Sequence, residues 1–268
     1  MQQNDQTKAT SIPTETLSGG NMNAPVKKGD RVYRQVTDGT PTIHRILQHV
    51  RGKGLSWIPE PFGIEGGREV LSFMPGAVPH EMPFWIWSED TLSDIAQRIR
   101  QWHDATVDFD SDGSVWNFTA DGGTEVICHN DFAPYNCVFS GEEFSALIDF
   151  DLCAPGSRLW DLGYTVYRFV PVMPPEPLGD ESECSPFSLE ETFRRLDLFL
   201  DTYAAGDASL RYSRETVLEA CAKRVRAIAD WTARFAEETD NDSLKANARM
   251  YRAHAGWIEA LGAQKLFE

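Results

Sequence analysis

The sequence predicts an α+β protein with a small β-rich N-terminal part and a larger, mainly helical C-terminal part. Residues 17–75 contain short alternating runs separated by turn residues, as in a small β-sheet. Apolar residues recur at helical spacing from residue 88 onward, interrupted at 126–151 by short apolar runs and polar loops. Hydrophobic content of 41% over 268 residues, with eight tryptophans, indicates a globular chain with one large or two smaller cores.

The N-terminal part begins with a polar segment. Residues 1–16 lack the apolar core of a secretory signal, so we expect a disordered N-terminal tail there. Residues 17–39 alternate and turn like successive hairpin strands, the last of which carries Arg34. Gly19 and Gly20 form a turn whose backbone amides can approach an anion closely, although adjacent glycines are also typical of any tight turn.

A helix and two more strands complete this part. Thr40 is the expected N-cap, Pro41 the first helical residue and Gly52 the C-terminal stop, with apolar residues at helical spacing between them. The strands are predicted at 60–64 and 69–74, since both runs are bounded by glycine and proline.

Helices dominate the remainder of the chain. Ser88 is the predicted N-cap of a helix that runs to about Thr106, and its His103 is interpreted as a core histidine rather than a ligand. Ser188 and Glu191 form a capping box that opens a later helix. Residues 171–187 contain five prolines and several acids and are expected to form an exposed loop. The later helices are predicted at 162–170, 188–203, 213–238 and 241–264.

The most informative stretch runs from residue 126 to residue 151. An apolar run leads into a polar loop with His129, Asp131 and Asn136, and a predicted hairpin between the next two apolar runs ends on Asp149. Pairing of that hairpin brings Asn136 and Asp149 to neighbouring strand ends, with Asp131 one loop away. Each residue taken alone has an ordinary explanation as a turn, a cap or a buried amide.

Taken together, the same residues suit phosphoryl transfer. A carboxylate such as Asp131 accepts or orients the proton of an attacking hydroxyl, while an amide oxygen and a second carboxylate hold Mg²⁺ against the phosphates of a nucleotide. Asn136 and Asp149 provide that pair of ligands. Mg²⁺ usually takes only one or two carboxylates from a protein, so this contribution is sufficient.

The pattern His-x-Asp-x-x-x-x-Asn followed by Ile-Asp-Phe-Asp resembles the catalytic and metal-binding segments of the aminoglycoside phosphotransferase and choline kinase family, relatives of protein kinases. The resemblance is densest over residues 126–170 and looser over residues 17–76. It implies a protein-kinase-like fold with a nucleotide-binding N-lobe at 17–75 and a C-lobe at 76–268 that contains the catalytic loop and the acceptor site.

The resemblance also implies roles for individual residues. Asp161 would brace the catalytic loop, and His129 would pack and hydrogen-bond beneath it. The role of Asp151 is left open: it could be a second metal ligand, a contact to the acceptor or a turn residue. ATP or GTP would lie between the lobes. The strand predicted at 69–74 would lead into the linker between the lobes, whose backbone pairs with the base, and the alternative is an ordinary edge strand followed by a loop. The expected nucleotide-binding residues are Gly19, Gly20, Arg34, Ser72, Phe73 and Met74.

The N-terminal part departs from the kinase pattern in one respect. Kinases pair a strand lysine with a glutamate on the following helix to position the phosphates. Here the strand offers Arg34, and no acidic residue occurs from Gly39 to Pro59, so that His44 and Gln48 are the nearest candidate partners. Arginine can clamp phosphate through two nitrogens without a carboxylate partner.

The distribution of charge limits the classes of molecule that the protein is expected to bind. The net charge of −16 disfavours nucleic acid or an anionic membrane as partner, and no apolar stretch reaches the length of a membrane span. Residues 101–157 contain eleven acidic residues and no lysine or arginine, whereas lysines and arginines exceed acids over 20–70. This contrast favours a polyphosphate, a metal and a cationic acceptor between the lobes, and the alternative is a solvated acidic surface. Five cysteines without metal-ligand spacing indicate reduced thiols and a cytoplasmic location.

The sequence therefore predicts a Mg²⁺-dependent small-molecule kinase. It would move the γ-phosphoryl group of ATP or GTP to a hydroxyl of an aminoglycoside-like compound or another amino or sugar alcohol. The first alternative is a nucleotide- or ligand-binding protein that has lost catalysis, as the missing lysine–glutamate pair suggests. The second is an acidic scaffold for a protein partner.

Overall fold

The computed structural model describes residues 14–17, 25–79, 81–120, 123–178 and 183–263. The predicted turn at Gly19 and Gly20 lies outside these residues. An antiparallel sheet of five strands opens the fold, in the spatial order β1-β2-β3-β5-β4. Its strands are β1 (Thr14–Thr16), β2 (Val26–Lys28), β3 (Arg31–Gln35), β4 (Pro61–Glu65) and β5 (Arg68–Ser72). β1 lies within residues 1–16, where we expected a disordered tail, so the expectation is wrong for these three residues.

The helix α1 (Thr40–Gly52) connects β3 to β4 and begins one residue differently from the prediction. Its N-cap is Gly39, and Thr40 is the first helical residue. The Oγ1 of Thr40 accepts a hydrogen bond from the backbone N–H of Thr37 at 2.9 Å, which lies before the helix. Gly39 lies so close to Asn117 that a Cβ there would come within 2.7 Å of its side chain. The prediction of Thr40 as N-cap was therefore wrong because a tertiary contact favours glycine at that position.

The remainder of the chain is mainly helical and carries two small antiparallel sheets of two strands. β6 (Val126–Cys128) pairs with β9 (Ala154–Gly156), and β7 (Cys137–Ser140) pairs with β8 (Glu143–Leu147). Ser88 and Ser188 cap their helices as predicted. The helices are α2 (Glu89–Thr106), α3 (Arg158–Phe169), α4 (Leu189–Tyr203), α5 (Arg214–Glu238) and α6 (Asp242–Gly262).

A continuous apolar core joins the two parts. Ile46, Leu47 and Val50 on α1 belong to the same buried cluster as Leu92 and Ile99 on α2. The segment after β5 is also attached to the C-terminal part, because Ala77 and Phe139 exchange two backbone hydrogen bonds of 2.8 Å. Among the described residues, no helix combines the length and the apolar character needed to cross a membrane.

Candidate active site

Asp131 lies in the loop that joins β6 to β7. Its Oδ1 accepts a hydrogen bond from the hydroxyl of Tyr135 at 2.6 Å, and its Oδ2 accepts one from Nδ2 of Asn136 at 2.8 Å. The same Nδ2 donates to the backbone carbonyl of Asp131 at 2.9 Å. The carboxylate therefore has a fixed direction, because rotation would break one of these hydrogen bonds.

A backbone hydrogen bond attaches the second acidic loop to the first. The N–H of Ile148 donates to the carbonyl of Asn136 at 2.9 Å, which places Asp149 directly after a residue paired with Asn136. Asp149 has a φ of 65°, in the left-handed region that residues other than glycine rarely adopt. Such strained positions cluster at functional sites.

Asn136 and Asp149 fit a magnesium ion by the chemistry of their donors. Since Asn136 uses its Nδ2 toward Asp131, its Oδ1 is the atom that remains to bind a cation. An amide oxygen and a carboxylate are the hard ligands that Mg²⁺ prefers. The described part of the chain contains no cluster of three or more His, Cys, Asp or Glu side chains that could hold a metal, so these two donors stand without a third protein ligand of that kind.

Asp161, at the start of α3, supports the loop from behind. Its Oδ2 accepts the backbone N–H of His129 and its Oδ1 accepts that of Asn130, both at 2.8 Å. Nε2 of His103 lies 3.0 Å from Oδ2 of the same carboxylate, and Nδ1 of His103 lies 2.8 Å from the hydroxyl of Tyr203. Burial alone would raise the pKa of Asp161, but the hydrogen bond and the charge interaction with His103 hold it below its usual value.

His129 lies beneath the loop and is shielded from solvent. It is fully buried, its ring is 4.9 Å from that of Phe150, and its Nδ1 accepts the N–H of Asp131 at 3.3 Å. Burial lowers the pKa of His129, which keeps the ring neutral. A neutral ring under Asp131 is a packing element and a hydrogen-bond acceptor.

Arg34 on β3 reaches across to the second acidic loop. Its Nη2 forms an ion pair with Asp151, and its Nη1 lies 3.5 Å from Oδ1 of Asp149. Its Nε lies 3.3 Å from Oε2 of Glu69 on β5. The partner of Arg34 within the N-terminal sheet is therefore Glu69, and neither His44 nor Gln48 takes that place.

Burial changes the acidity of two carboxyl groups in the cleft. It raises the pKa of Asp131 from 3.8 to about 6, assisted by the negative charge of Asp149 and opposed by the hydrogen bonds from Tyr135 and Asn136. Burial also raises the pKa of Asp151 to about 6, although the charge of Arg34 opposes this shift. A carboxyl group with such a pKa can exchange a proton near neutral pH.

The predicted nucleotide-binding residues Ser72, Phe73 and Met74 lie where β5 leaves the sheet. The N–H of Ser72 donates to the carbonyl of Glu60 at 2.9 Å, and the N–H of Phe73 donates to the carbonyl of Asp30 at 2.7 Å. Both amides are thus engaged within the sheet.

Tyrosines and an arginine line the side of Asp131 that faces α3. The hydroxyl of Tyr135, which donates to Asp131, lies 2.5 Å from the hydroxyl of Tyr164. The guanidinium of Arg168 lies 5.6 Å from the centre of the Tyr135 ring. The groups beside Asp131 on this side are therefore hydroxyls and a guanidinium, and not the carboxylates that the acidic segment led us to expect.

Several acids of the 101–157 segment are engaged in ion pairs away from Asp131. Arg158 lies 3.1 Å from Asp104 and 3.1 Å from Glu125, and Lys53 pairs with Asp108. The acidic character of the segment is thus partly neutralised by bases from elsewhere in the chain, which weakens the expectation of a cationic acceptor. Two cavities of about 440 and 250 Å³ lie along α5, and no residue of the loop with Asp131 lines either of them.

Sequence reasoning did not find all residues that organise this region. Glu69 and His103 act through contacts between elements, and neither stands in a short motif. His44 was considered only as a partner of Arg34, whereas it contacts Glu69. Asn130 shares the loop with Asp131, and its backbone carbonyl accepts a hydrogen bond from Arg224 of α5 at 2.7 Å. His103 had a sequence signal, because it lies beside the apolar face of its helix, whereas Glu69 and Asn130 stand next to other polar residues and had none.

The loop that carries Asp131 lies in a segment that matches a known protein family. Residues 85–183, which include the loop with Asp131 and the brace Asp161, match the model of the phosphotransferase enzyme family. This segment has the signature of that phosphotransferase family. The resemblance inferred from the sequence is thereby confirmed.

A curated relative matches about half of the chain. The trifolitoxin immunity protein of Rhizobium leguminosarum bv. trifolii is 31% identical over 147 residues, which cover 52% of this chain and 55% of that protein. The chain thus spans about half the length of the curated relative it matches.

Two solved structures have the same fold over nearly the whole chain. Plasmodium vivax ethanolamine kinase is 14% identical with a TM-score of 0.66, covering 95% of this chain and 84% of that one. The ternary complex of streptomycin, ATP and APH(2")-IIa is also 14% identical, with a TM-score of 0.56 and coverages of 90% and 94%. The predicted protein-kinase-like α+β fold is confirmed by these similarities.

Proposed function

We propose that the protein transfers the γ-phosphoryl group of ATP or GTP to a hydroxyl of a small molecule. The observation that carries this proposal is the convergence of Asp131, Asn136 and Asp149 through the hydrogen bond between Asn136 and Asp131 and the backbone hydrogen bond between Ile148 and Asn136. The match to a phosphotransferase family over the same residues supports it.

In this proposal Asp131 accepts or orients the proton of the attacking hydroxyl. Its Oδ1 and Oδ2 are held by Tyr135 and Asn136, so the carboxylate is oriented before the acceptor arrives. Its pKa of about 6 leaves most of the group ionised at neutral pH while keeping it a stronger base than an ordinary aspartate.

Asn136 and Asp149 would hold Mg²⁺, and Asp151 is a candidate for a second metal ligand. When bound, the metal neutralises charge on the β- and γ-phosphates. Arg34 would contact the phosphates, and Gly19 and Gly20, which lie outside the described residues, would approach them through backbone amides. Ser72, Phe73 and Met74 would border the base, with Asp161 and His129 holding the loop. The protein would act in the cytoplasm.

The acceptor is proposed as a small hydroxylated compound. Tyr135, Tyr164 and Arg168 offer hydroxyl groups and a positive charge beside Asp131. They suit hydrogen bonding to a polyol or sugar at least as well as binding of an amine, so the acceptor panel should include neutral and anionic compounds next to aminoglycosides and choline-like alcohols.

The test compares the wild type with Asp131→Asn. Transfer of phosphate from Mg-ATP or Mg-GTP to the panel should fall at least about a hundredfold, because the proton acceptor is removed, whereas nucleotide binding should persist. Asp112→Asn, an exposed aspartate of the same acidic segment, is the matched control and should retain full activity. Equal turnover by Asp131→Asn and the wild type would refute the role of Asp131.

The catalytically impaired alternative makes a different prediction. A ligand-binding protein without catalysis would bind Mg-ATP but show neither transfer nor hydrolysis, and Asp149→Asn would change nothing but affinity. Phosphate release measured with and without this substitution separates the two functions. The acidic scaffold predicts no stabilisation by any nucleotide.

A second candidate is suggested by the relative named an immunity protein. Phosphorylation of a hydroxyl on a toxin would give immunity by the same chemistry. Incubation of trifolitoxin with the protein and Mg-ATP, followed by mass spectrometry, should then show the mass gain of one phosphate that depends on Asp131. An unchanged toxin mass would exclude this acceptor.

A further inference from the structure

Arg34 and Glu69 face each other on adjacent strands. They are direct partners in the register of β3 and β5, which places their side chains on the same face of the sheet. Nε of Arg34 lies 3.3 Å from Oε2 of Glu69. Side-chain exposure is 13% for Arg34 and 2% for Glu69, so this is a largely desolvated ion pair.

The second oxygen of Glu69 has its own partner on α1. Nε2 of His44 lies 3.0 Å from Oε1 of Glu69, and the His44 side chain is 11% exposed. Both carboxylate oxygens are thus engaged by groups from different elements. A buried carboxylate with both oxygens occupied has little freedom to rotate.

The two ends of the Arg34 guanidinium are used differently. Nε faces Glu69 inside the sheet, while the terminal nitrogens face Asp149 and Asp151 at the cleft. The guanidinium is planar, so fixing Nε sets the plane in which both terminal nitrogens lie. A lysine, with one nitrogen, cannot divide its contacts in this way.

We propose, on the basis of the phosphotransferase function above, that Glu69 is a positioning residue that directs Arg34 toward the phosphates of the nucleotide, with His44 supporting Glu69. The carboxylate that kinases supply from the helix comes here from β5, and α1 contributes the histidine behind it. This arrangement accounts for the lack of an acidic residue from Gly39 to Pro59.

A second arginine–glutamate pair on the same sheet provides the matched control. Arg31 and Glu65 lie 3.1 Å apart with side chains 38% and 51% exposed. Exposed pairs of this kind contribute little to stability or orientation. Glu65→Gln removes the same charge from the same sheet without affecting Arg34.

The experiment measures the binding of Mg-ATP and of adenosine, by calorimetry or competition, to the wild type, Glu69→Gln and Glu65→Gln. Because Arg34 would bind phosphate and not the base, Glu69→Gln should weaken Mg-ATP binding about tenfold to a hundredfold and leave adenosine binding unchanged. Glu65→Gln should bind both like the wild type. His44→Gln should give a smaller loss for Mg-ATP alone.

A double-substitution cycle separates positioning from general damage. If Glu69 acts through Arg34, Glu69→Gln should cause no further loss of Mg-ATP affinity in an Arg34→Gln background. Additive losses, equal losses for adenosine and Mg-ATP, or wild-type Mg-ATP affinity in Glu69→Gln would each overturn the proposal. If Glu69→Gln fails to fold, the same comparison is made with His44→Gln, and unchanged Mg-ATP affinity in that variant overturns the proposal.

The failure of the proposed function would look different. A wild type that binds no Mg-ATP removes both proposals at once. The wild type could instead bind Mg-ATP but transfer no phosphate, which would overturn the catalytic proposal. If Glu69→Gln were still selectively impaired in Mg-ATP binding, the positioning role of Glu69 would nevertheless be supported.

Discussion

The protonation state of Asp131 depends on a balance of burial and hydrogen bonding. Burial disfavours its charge, and the hydroxyl of Tyr135 and the amide of Asn136 restore part of the loss. The resulting pKa of about 6 lies where a general base is most useful. The same burial makes ionisation of Asp131 unfavourable to folding, because its folded-state pKa is above the unfolded value of 3.8.

This balance predicts a pH dependence of activity. Since Asp131 acts as a base only when ionised, kcat/KM should rise about tenfold per pH unit below about pH 6 and level off above it. Initial rates at constant ionic strength from pH 4.5 to 8.5 measure this limb. The stabilising contribution of the protonated group runs in the opposite sense, because it is complete below pH 3.8 and is lost as the pH rises through about 6.

Asp151 provides the control for that assignment, because burial gives it a pKa of about 6 as well. In Asp151→Asn the limb near pH 6 should persist if it belongs to Asp131. Disappearance of the limb in this variant, with activity retained, would assign the titration to Asp151 instead.

Residues that stand in a short motif could be recognised from the sequence as neighbours in the fold. Asp131, Asn136 and Asp149 lie within one strand–loop–strand segment, and the structure brings their loops together by a hydrogen bond between neighbouring strand ends. Glu69 and His103 were not predicted as organising residues. Each contacts its partner across a sheet or between helices, and sequence spacing holds no information about such a contact.

At the scale of elements, the segment after β5 is fixed to β7 at one point. Gly76 has a φ of 138°, and a Cβ there would lie 2.6 Å from the carbonyl oxygen of Phe139 and from Cγ1 of Val138. Ala77, the next residue, exchanges two backbone hydrogen bonds with Phe139. The chain can approach β7 this closely only without a side chain at position 76.

Gly76→Ala should therefore destabilise the protein by about 2–4 kcal/mol, through both the strained φ and the steric clash. The free energy of unfolding, measured with urea, tests this. Gly66→Ala is the control, because Gly66 also has a positive φ, 57°, but its Cβ would meet nothing within 4 Å. It should cost only about 1 kcal/mol, and equal losses in both variants would show that contact with β7 is unimportant.

Caps and periodicity identified most helices, and tertiary contacts explain the exceptions. Ser88 and Ser188 accept the N–H three residues ahead, which is a purely local interaction. Gly39 replaces Thr40 as N-cap because Asn117, far along the chain, occupies the space beside it. β9 was not predicted, since its three residues acquire strand geometry only by pairing with β6.

For the molecule as a whole, the continuous core predicts cooperative unfolding. The apolar face of α1 belongs to the same cluster as α2, so the N-terminal sheet and the helical part should unfold in one transition. Fluorescence of the tryptophans and far-UV circular dichroism should then give the same midpoint in urea. Two separate midpoints would show that the parts unfold independently.

Ligand binding should raise the stability of this single unit. Mg-ATP at a hundred times its dissociation constant should add about 2.7 kcal/mol to the free energy of unfolding, which corresponds to about 5–10 °C in Tm. Magnesium alone and ATP with a chelator are the controls, and each should give a smaller shift. An equal shift by ATP without magnesium would argue against a metal at Asn136 and Asp149.

The position between His129 and Asp131 looks unconstrained when the motif is written as His-x-Asp. Asn130 nevertheless has a φ of 68°, its amide oxygen accepts a hydrogen bond from Trp160 at 2.9 Å, and its amide nitrogen donates to the carbonyl of Leu152 at 2.8 Å. Glycine satisfies the backbone but loses both side-chain bonds, and a β-branched residue satisfies neither requirement. The backbone angle and the two side-chain hydrogen bonds therefore favour asparagine at position 130 over other residue types, and a search pattern for this loop should specify asparagine there.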